Sequence, residues 1–224
     1  MTNHKAKLIQ TKEIAHRTKF FRFQFPEQFN FKPGNFITAK VAENTFRAYS
    51  IASSPNKLPE LDLTIKLIEN GIGSTYFDQL KTGDEVEFFG PFGHFILKKN
   101  NLKKIFIATG VGIAPMRCFW QDIQNKSAMH LFFGCRYEKE LMLEKEIQKN
   151  TNITTEICIS RPENPDFKGT KGRVTDLIKA KEADFFKNSE IYICGSTPMI
   201  DEVVKILTQD KNMPKEHIYF ERFN

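Results

Sequence analysis

The chain has 224 residues, is 40% hydrophobic and 27% charged, and carries a formal net charge of +6. This composition is typical of a globular protein with one large domain or two small ones, and the apolar runs are far shorter than the roughly 20 residues of a membrane-spanning helix. The first residues, MTNHKAKLIQTKE, lack the apolar segment of a secretory signal, so we expect a cytoplasmic protein.

Cysteines and basic residues limit the kinds of ligand. The four cysteines are widely spaced and form no C-x-x-C pair, so we expect no metal site, neither zinc nor an iron–sulfur cluster, and no ferredoxin domain in this chain. The positive charge favours acidic partners or phosphorylated ligands. Basic residues are interspersed with acidic ones and form no stripe, which argues against nucleic-acid binding.

Up to about residue 98, apolar and polar residues alternate with period two. The FRFQF segment puts Phe21, Phe23 and Phe25 on one face, which is typical of a strand with one buried side. We therefore predict an antiparallel, six-stranded, Greek-key β-barrel. One helix, STYFDQL, interrupts it, with Ser74 as the predicted N-cap. The other strand-like segments are NFITAKVA, FRAYSIAS, ELDLTIKLI and DEVEFF.

From KKNN onward, short apolar strands alternate with helical segments. This alternation predicts βαβ units and an α/β domain with a five-stranded parallel sheet, so the expected domains are 1–98 and 99–224. The predicted strands are KKIFIAT, MHLFFG, ITTEICIS, EIYICG and HIYFERF. The predicted helices are APMRCFWQDIQ, EKELMLEKEIQ, VTDLIKA and PMIDEVVKILTQ.

Ligands of such sheets bind at the carboxyl ends of the strands, where TGVGIAP, GCR, SRPE, CGSTPM and ERFN fall. In TGVGIAP, Gly110 and Gly112 allow a tight turn that a phosphate can approach, and Pro115 suits the first turn of a helix. A plain strand-to-helix turn is the alternative. Cys194 is either a site thiol or a small buried hydrophobe.

Two further motifs lie in the first domain. In RAYS, Arg47 offers a fork for a phosphate, Tyr49 a flat face and Ser50 a hydroxyl, although an ordinary mixed strand explains them equally. NGIGST is a glycine turn onto a helix, either a second phosphate site or a capped surface turn.

Taken in order, these motifs have a collective pattern. RxYS, GxxS, GPxG, TGxGIAP, GxR, SR, CGxxxM and a final ExF together resemble the ferredoxin–NADP reductase superfamily, from about Gly34 to Phe223. The dinucleotide-binding pattern G-x-G-x-x-G has its third glycine where this chain has Pro115. In the ferredoxin–NADP reductase superfamily a proline occupies that position, so Pro115 fits the resemblance.

The resemblance implies a flavin site in the first domain. Arg47 would meet the flavin pyrophosphate, Tyr49 would stack on the ring system, and Ser50 would point at its N5 atom. Further residues expected at the flavin are Ala48, Ile65, Gly71, Gly73, Ser74 and the C-terminal Phe223. FAD is the expected flavin. FMN is the alternative, because the short SSPNKLPE turn leaves little room for a loop that binds the adenine of FAD.

The resemblance also implies a nicotinamide nucleotide site in the second domain. Cys194 would lie near the nicotinamide C4 atom and Glu221 would hold the ring and the thiol, so with Ser50 they are the expected catalytic residues. Residues expected along the nucleotide are Thr109, Gly110, Gly112, Pro115, Gly134, Arg136, Gly195 and Met199. A basic cluster with one serine, suited to a 2′-phosphate, favours NADPH over NADH, and the choice between the two stays open. Its members are Ser160, Arg161, Lys168, Lys171 and Arg173.

The function implied is a flavoprotein reductase of the ferredoxin/flavodoxin–NAD(P)+ type. Hydride would pass between the nicotinamide and flavin N5, and single electrons would pass to a separate acidic carrier such as ferredoxin, flavodoxin or an oxygenase component. The alternatives are the reductase component of a multicomponent oxygenase, an NAD(P)H:flavin reductase, and a non-enzymatic nucleotide-binding module.

Overall fold

The computed structural model describes residues 2–123 and 128–223, and the chain forms two compact units. One unit comprises Met1–Lys98 and Arg117–Asp122, and the other comprises Lys99–Met116 and Ile123–Asn224. No helix within the described ranges has the length and apolar character needed to cross a membrane.

The first unit is built on six antiparallel strands. They are β1 (Asn3–Ala15), β2 (Thr18–Gln24), β3 (Phe36–Ala42), β4 (Thr45–Ser50), β5 (Glu60–Lys66) and β6 (Glu85–Phe92). Their order in the sheet is β4-β3-β6-β1-β2-β5, and an antiparallel bridge between Ile51 and Leu63 joins the two ends of this order. The predicted six-stranded antiparallel barrel is therefore confirmed.

Aromatic side chains fill the centre of this barrel, as the period-two pattern predicts. Phe21 and Phe23 on β2 are fully buried, and Phe23 meets Phe88 on β6 edge-on at 5.1 Å. Phe77, on the helix between β5 and β6, packs against Phe21 at 5.2 Å. Each such buried phenylalanine contributes about 1.5–3 kcal/mol of burial free energy.

That helix, α1 (Ile72–Gln79), begins earlier than its sequence indicates. Its N-cap is Gly71, not Ser74, which lies in the first turn. The Ser74 hydroxyl instead accepts a hydrogen bond from the Ile68 N–H at 2.7 Å. The predicted serine cap is thus wrong, because the helix begins after Gly71, which lies three residues before Ser74 and has an extended backbone.

A buried charge network stabilises the first unit. The carboxylate of Asp62 on β5 accepts two hydrogen bonds from Arg22, at 2.7 and 3.1 Å, and one from Arg117 at 2.9 Å. Arg117 also donates to the Ala52 carbonyl at 2.8 Å. Burial raises the pKa of the Asp62 carboxyl, but the hydrogen bonds and charges of both arginines outweigh it and hold that pKa below its ordinary value.

The second unit contains a parallel sheet of six strands. They are β7 (Lys103–Thr109), β8 (Met129–Cys135), β9 (Ile153–Ile159), β10 (Thr170–Lys171), β11 (Ser189–Ser196) and β12 (Ile218–Phe223), in the order β10-β9-β8-β7-β11-β12. The five long strands are those predicted. The prediction of five strands is wrong by one, because two-residue β10 is too short to give a hydrophobic period.

In the described part of the chain, four α-helices follow strands of this sheet, and the first of them continues into the first unit from Arg117. They are α2 (Ile113–Asp122), α3 (Glu144–Lys149), α4 (Val174–Lys179) and α5 (Thr197–Lys205), and a π-helical turn at Ile206–Asp210 extends α5. The predicted helix 138–148 is wrong as one element, because a 3₁₀ turn at Glu138–Glu140 and a left-handed Leu143 (φ 61°) interrupt it. The predicted end of α2 at Gln124 lies outside the described residues.

The strand order determines where this unit can hold a ligand. From β7 the chain proceeds through β8 and β9 on one side, then returns to β11 and β12 on the other side. The order therefore reverses between β7 and β11, and the crevice at the carboxyl ends of two such strands is the usual ligand position of doubly wound sheets.

Candidate functional site

In the first unit, β4 and the start of α1 bring three predicted site residues together. A Cβ atom on Gly73 would lie 2.6 Å from Tyr49 Oη and 3.1 Å from Arg47 Cγ. A side chain at position 73 would have to displace the side chains of Tyr49 and Arg47, so glycine lets the helix begin close to this face of β4. The free N–H groups and positive end of α1 therefore lie beside a guanidinium and a phenol ring.

Tyr49 presents a neutral aromatic face at this point. Its half-buried ring packs edge-on against Phe77 at 4.8 Å. Burial raises the pKa of the Tyr49 phenol to about 12 even though the charge of Arg47 lowers it. The exposed Arg47 donates one hydrogen bond to the Phe46 carbonyl at 2.9 Å. This side of β4 thus combines an uncharged ring with a cation.

The other predicted residues of this site differ in accessibility. Ser50 is buried at the end of β4, whereas Ala48 is exposed and Gly71 is the N-cap of α1. The side chain of Ile65 packs in the barrel core, so only its backbone can reach a ligand. The combination of helix start, guanidinium and neutral ring fits a flavin nucleotide, which pairs an anionic pyrophosphate with a flat ring system.

In the second unit, the turn after β7 packs directly on β11. β7 ends at Thr109, Gly110–Gly112 forms a 3₁₀ turn, and Pro115 lies in the first turn of α2. A Cβ atom on Gly112 would lie 2.2 Å from the carbonyl oxygen of Cys194. The turn therefore needs glycine at this position, where the strand order reverses.

Thr109 connects the ends of three neighbouring strands. A Cβ atom on Gly195 of β11 would meet Thr109 Oγ1 at 2.3 Å and Met199 Cε at 2.6 Å. A Cβ atom on Gly134 of β8 would lie 3.3 Å from Thr109 Cγ2. Four predicted nucleotide residues thus lie together at one rim, beside the start of α2, and this arrangement fits a dinucleotide whose pyrophosphate takes the helix N-terminus.

Cys194 and Glu221 are register neighbours on β11 and β12. The Cys194 side chain is fully buried, and Glu221 is half-buried. Burial, helped by the negative charge of Glu221, raises the pKa of the Cys194 thiol well above its ordinary value. The thiol therefore stays protonated at neutral pH and can act through contact and polarity but not as a thiolate.

The role that the resemblance implies for Cys194 predicts that its replacement by alanine slows flavin reduction by the nucleotide about tenfold, because the thiol would no longer fix the nicotinamide position. Stopped-flow reduction is the measurement, with Cys118→Ala, also a buried cysteine, as the control. For the natural protein, the raised pKa predicts no thiol ionisation between about pH 6 and 8 in the rate profile. An unchanged rate in the Cys194 variant would contradict this role.

The predicted basic cluster lies where β8, β9 and β10 end. The Ser160 N–H donates to the Cys135 carbonyl at 3.0 Å and the Arg161 N–H to the Arg136 carbonyl at 2.8 Å. Lys171 on β10 is the register partner of Ile159. The exposed side chains of Arg136, Arg161 and Lys171 have no acidic partner within 4 Å in the part of the chain that the structure describes.

Two other predicted residues occupy the ends of elements. Arg173 is exposed and precedes α4, with its N–H bound to the Asp176 carboxylate at 2.7 Å. Phe223 ends β12, half-buried, as the register partner of Ser196. Within the described residues, no group of three or more histidine, cysteine or acidic side chains could hold a metal.

Glu138 is a residue of this rim that the sequence patterns do not point to. Its carboxylate accepts hydrogen bonds from the N–H groups of Glu163, at 2.9 Å, and Asn164, at 3.1 Å. Glu163 and Asn164 lie 25 and 26 residues after Glu138 in the chain, and the segment around Glu138 has helical periodicity. No local pattern could therefore have predicted this contact.

The two units match two protein-family models. Residues 5–96 match the oxidoreductase FAD-binding domain, and residues 106–205 match the oxidoreductase NAD-binding domain. Both models together account for most of the chain and agree with the two kinds of site described above.

Curated relatives match most of the length of this chain. The phenol hydroxylase P5 protein of Acinetobacter pittii is 30% identical over 238 residues, which cover 99% of this chain and 65% of the relative. Ferredoxin–NADP reductase B of Sorangium cellulosum is 29% identical over 191 residues, covering 80% of this chain and 78% of the relative. The chain spans only 57% of a Rhodococcus jostii relative, the propane 2-monooxygenase reductase component, which is 27% identical over 212 residues covering 88% of this chain.

Solved structures share the fold. A ferredoxin reductase of carbazole 1,9a-dioxygenase superposes with a TM-score of 0.91 at 22% identity, covering 100% of this chain and 70% of that chain. A ferredoxin–NADP+ reductase from Neisseria gonorrhoeae, with bound FAD and NADP, gives a TM-score of 0.86 at 19% identity and covers 99% of both chains.

Fold and site together define a two-domain oxidoreductase that combines an FAD-binding domain with an NAD(P)-binding domain. The chain belongs to the ferredoxin–NADP reductase superfamily.

Proposed function

We propose that this chain is an NAD(P)H-dependent flavoprotein reductase that passes electrons to a separate carrier, with residues 1–98 as its flavin domain and 99–224 as its nucleotide domain. One observation carries the proposal: each unit packs a glycine at a helix start onto a strand that bears ring-binding groups. Gly73 meets Arg47 and Tyr49 in the first unit, and Gly112 meets Cys194 in the second. A non-enzymatic nucleotide-binding module has no need of two such sites.

The bound cofactors would supply the hydride and electron chemistry, and the protein would orient them. In the first unit, Arg47 and the N–H groups at the start of α1 neutralise the pyrophosphate, while Tyr49 offers its neutral face to the ring. In the second unit, the start of α2 holds the other pyrophosphate. Glu221 and the Cys194 thiol, which is protonated, would fix the nicotinamide and limit access of water.

The electron acceptor that we propose is a separate, acidic one-electron carrier. The net charge of +6 favours such a partner, because complementary charge accelerates encounter. Relatives named as a phenol hydroxylase component and as the reductase component of a propane 2-monooxygenase favour a second candidate role, that of a reductase within a multicomponent oxygenase. Reoxidation of the reduced protein by ferredoxin, flavodoxin and an oxygenase component would separate the two.

The flavin site is tested by Tyr49→Ala, which is expected to reduce the flavin content of the purified protein to about a tenth or less, because the ring loses its stacking surface. Flavin absorbance relative to protein is the measurement. Tyr76→Ala is the matched control, since Tyr76 also packs edge-on against Phe77, at 5.5 Å. Full flavin occupancy in the Tyr49 variant would exclude this assignment.

The nucleotide that we propose is NADPH, since Arg136, Arg161 and Lys171, which have no acidic partner within 4 Å among the described residues, lie at the ends of β8, β9 and β10. Arg161→Ala is expected to raise the KM for NADPH at least about tenfold, because a bidentate hydrogen bond between charged groups contributes roughly 1.5–3 kcal/mol. The KM for NADH should change little. Steady-state kinetics with both donors measure this, and Lys187→Ala, which removes an exposed cation just before the start of β11, is the control. Equal losses for both donors would argue against a 2′-phosphate site.

A further inference from the structure

We propose that Glu138 is a positioning residue for nucleotide recognition: it holds the loop after β9, residues 160–166, in the conformation that presents Arg161. This proposal rests on the proposed function, because it assigns a role to the same rim of the second unit. It adds a residue that does not itself touch the nucleotide and whose effect reaches the ligand through the loop backbone.

Both oxygens of the Glu138 carboxylate are used by this loop. Oε2 accepts from the Glu163 N–H at 2.9 Å, and Oε1 accepts from the Asn164 N–H at 3.1 Å. These two amides follow Arg161 by two and three residues, so they fix the backbone immediately beyond it. Hydrogen bonds between an ionised acceptor and backbone N–H groups are stronger than neutral ones.

Neighbours of Glu138 attach the same loop at two more points. Lys139 Nζ lies 3.1 Å from each carboxylate oxygen of Glu163. The Arg136 carbonyl accepts from the Arg161 N–H at 2.8 Å. Residues 136–139 therefore hold the loop at Arg161 and just after it. Of the loop's own side chains, only that of Glu163 takes part in these contacts.

The contact requires a carboxylate rather than an amide. The hydrogen bond from the Glu163 N–H, with those from Glu138's own N–H and from Asn164, lowers the pKa of the Glu138 carboxyl, so it is ionised at neutral pH. In Glu138→Gln, one acceptor becomes an NH2 donor that faces a backbone N–H. The variant therefore keeps the size of the side chain and loses one of the two hydrogen bonds from the loop.

The side chain of Glu138 is only partly buried, so its loss is expected to release the loop without unfolding the unit. The control is Glu182→Gln, which removes an exposed carboxylate elsewhere in the second unit. All variants are prepared as the flavin-loaded full chain.

The first measurement is hydrogen exchange of the Glu163 and Asn164 amides by NMR, without nucleotide. We expect at least about tenfold faster exchange in Glu138→Gln than in the natural protein, and no change in Glu182→Gln. Unchanged exchange in Glu138→Gln would show that the carboxylate does not hold the loop, and this result is independent of any nucleotide.

The second measurement is calorimetric binding of adenosine 2′,5′-bisphosphate and of adenosine 5′-monophosphate. We expect the Kd of the bisphosphate to rise about three- to tenfold in Glu138→Gln, while the Kd of the monophosphate changes less than about twofold. kcat at saturating NADPH should stay the same, because the lost interaction stabilises the bound nucleotide equally in the ground state and in the transition state. Faster exchange with an unchanged bisphosphate affinity would overturn the positioning role. Failure of the natural protein to bind either compound would overturn the proposed function and this role together.

Discussion

A methyl group added at Gly112 is expected to reduce the rate of flavin reduction by the nucleotide at least about 100-fold, since misplacement of a binding loop by an ångström can cost that much. The new Cβ would lie 2.2 Å from the carbonyl oxygen of Cys194 and 2.6 Å from its carbonyl carbon. Both contacts are with backbone atoms, so no side-chain rotation relieves them. The turn or the end of β11 must move, and both belong to the proposed nucleotide site.

Stability alone does not account for such a loss. Overpacking of this kind typically destabilises a protein by about 1–3 kcal/mol. The control is Gly83→Ala, where φ is +106° and nothing lies within 4 Å of the added Cβ. It should lower stability by about 1–2 kcal/mol through its backbone conformation and leave flavin reduction intact. A Gly112→Ala protein that reduces its flavin at a near-natural rate would contradict the assigned turn.

Asp62→Ala is expected to lower the free energy of unfolding by about 3–5 kcal/mol, because it removes the buried carboxylate that pairs with the buried Arg117 and one of the two carboxylates that pair with the partly exposed Arg22. Thermal or urea unfolding measures this loss. The control is Asp78→Ala, which removes an exposed partner of Lys19 and should cost no more than about 1 kcal/mol. Equal losses in the two variants would contradict the importance of the buried network.

The same network predicts a pH dependence. The folded-state pKa of Asp62 is lower than its unfolded value, so its contribution to stability is complete above the unfolded pKa of about 4. As the pH falls through the folded-state pKa, protonation removes that contribution. Natural protein should therefore lose stability below about pH 4 more steeply than Asp62→Ala does.

The strands with strong periodicity were predictable from the sequence because their burial matches their pattern. Phe21 and Phe23 are buried on the same face of β2 with the less buried Arg22 between them, and the apolar β7 and β8 alternate with helices. β1 has no such pattern: in its 13 residues only Ala6 and Leu8 are buried, so hydrogen bonds to β2 and β6 define it. The break before α3 likewise depends on a left-handed Leu143, which helix periodicity does not report.

Motif order predicts which residues of the candidate site lie at strand ends, but it does not predict the contacts between them. The sequence indicates that Gly112 and Cys194 lie at strand ends, yet only the strand order brings them into contact. The buried pair of Lys104 and Glu190, with Nζ and Oε2 2.6 Å apart, also joins distant segments. Such pairs depend on register between β7 and β11, where Lys104 faces Glu190.

Anaerobic stopped-flow mixing of the FAD-loaded protein with NADPH or NADH tests whether the chain transfers hydride from a nicotinamide to its flavin. We expect the visible flavin absorbance to be lost in a single, saturable phase, with tighter saturation by NADPH than by NADH. A protein that binds no flavin, or whose bound flavin is reduced by neither nucleotide, would contradict it.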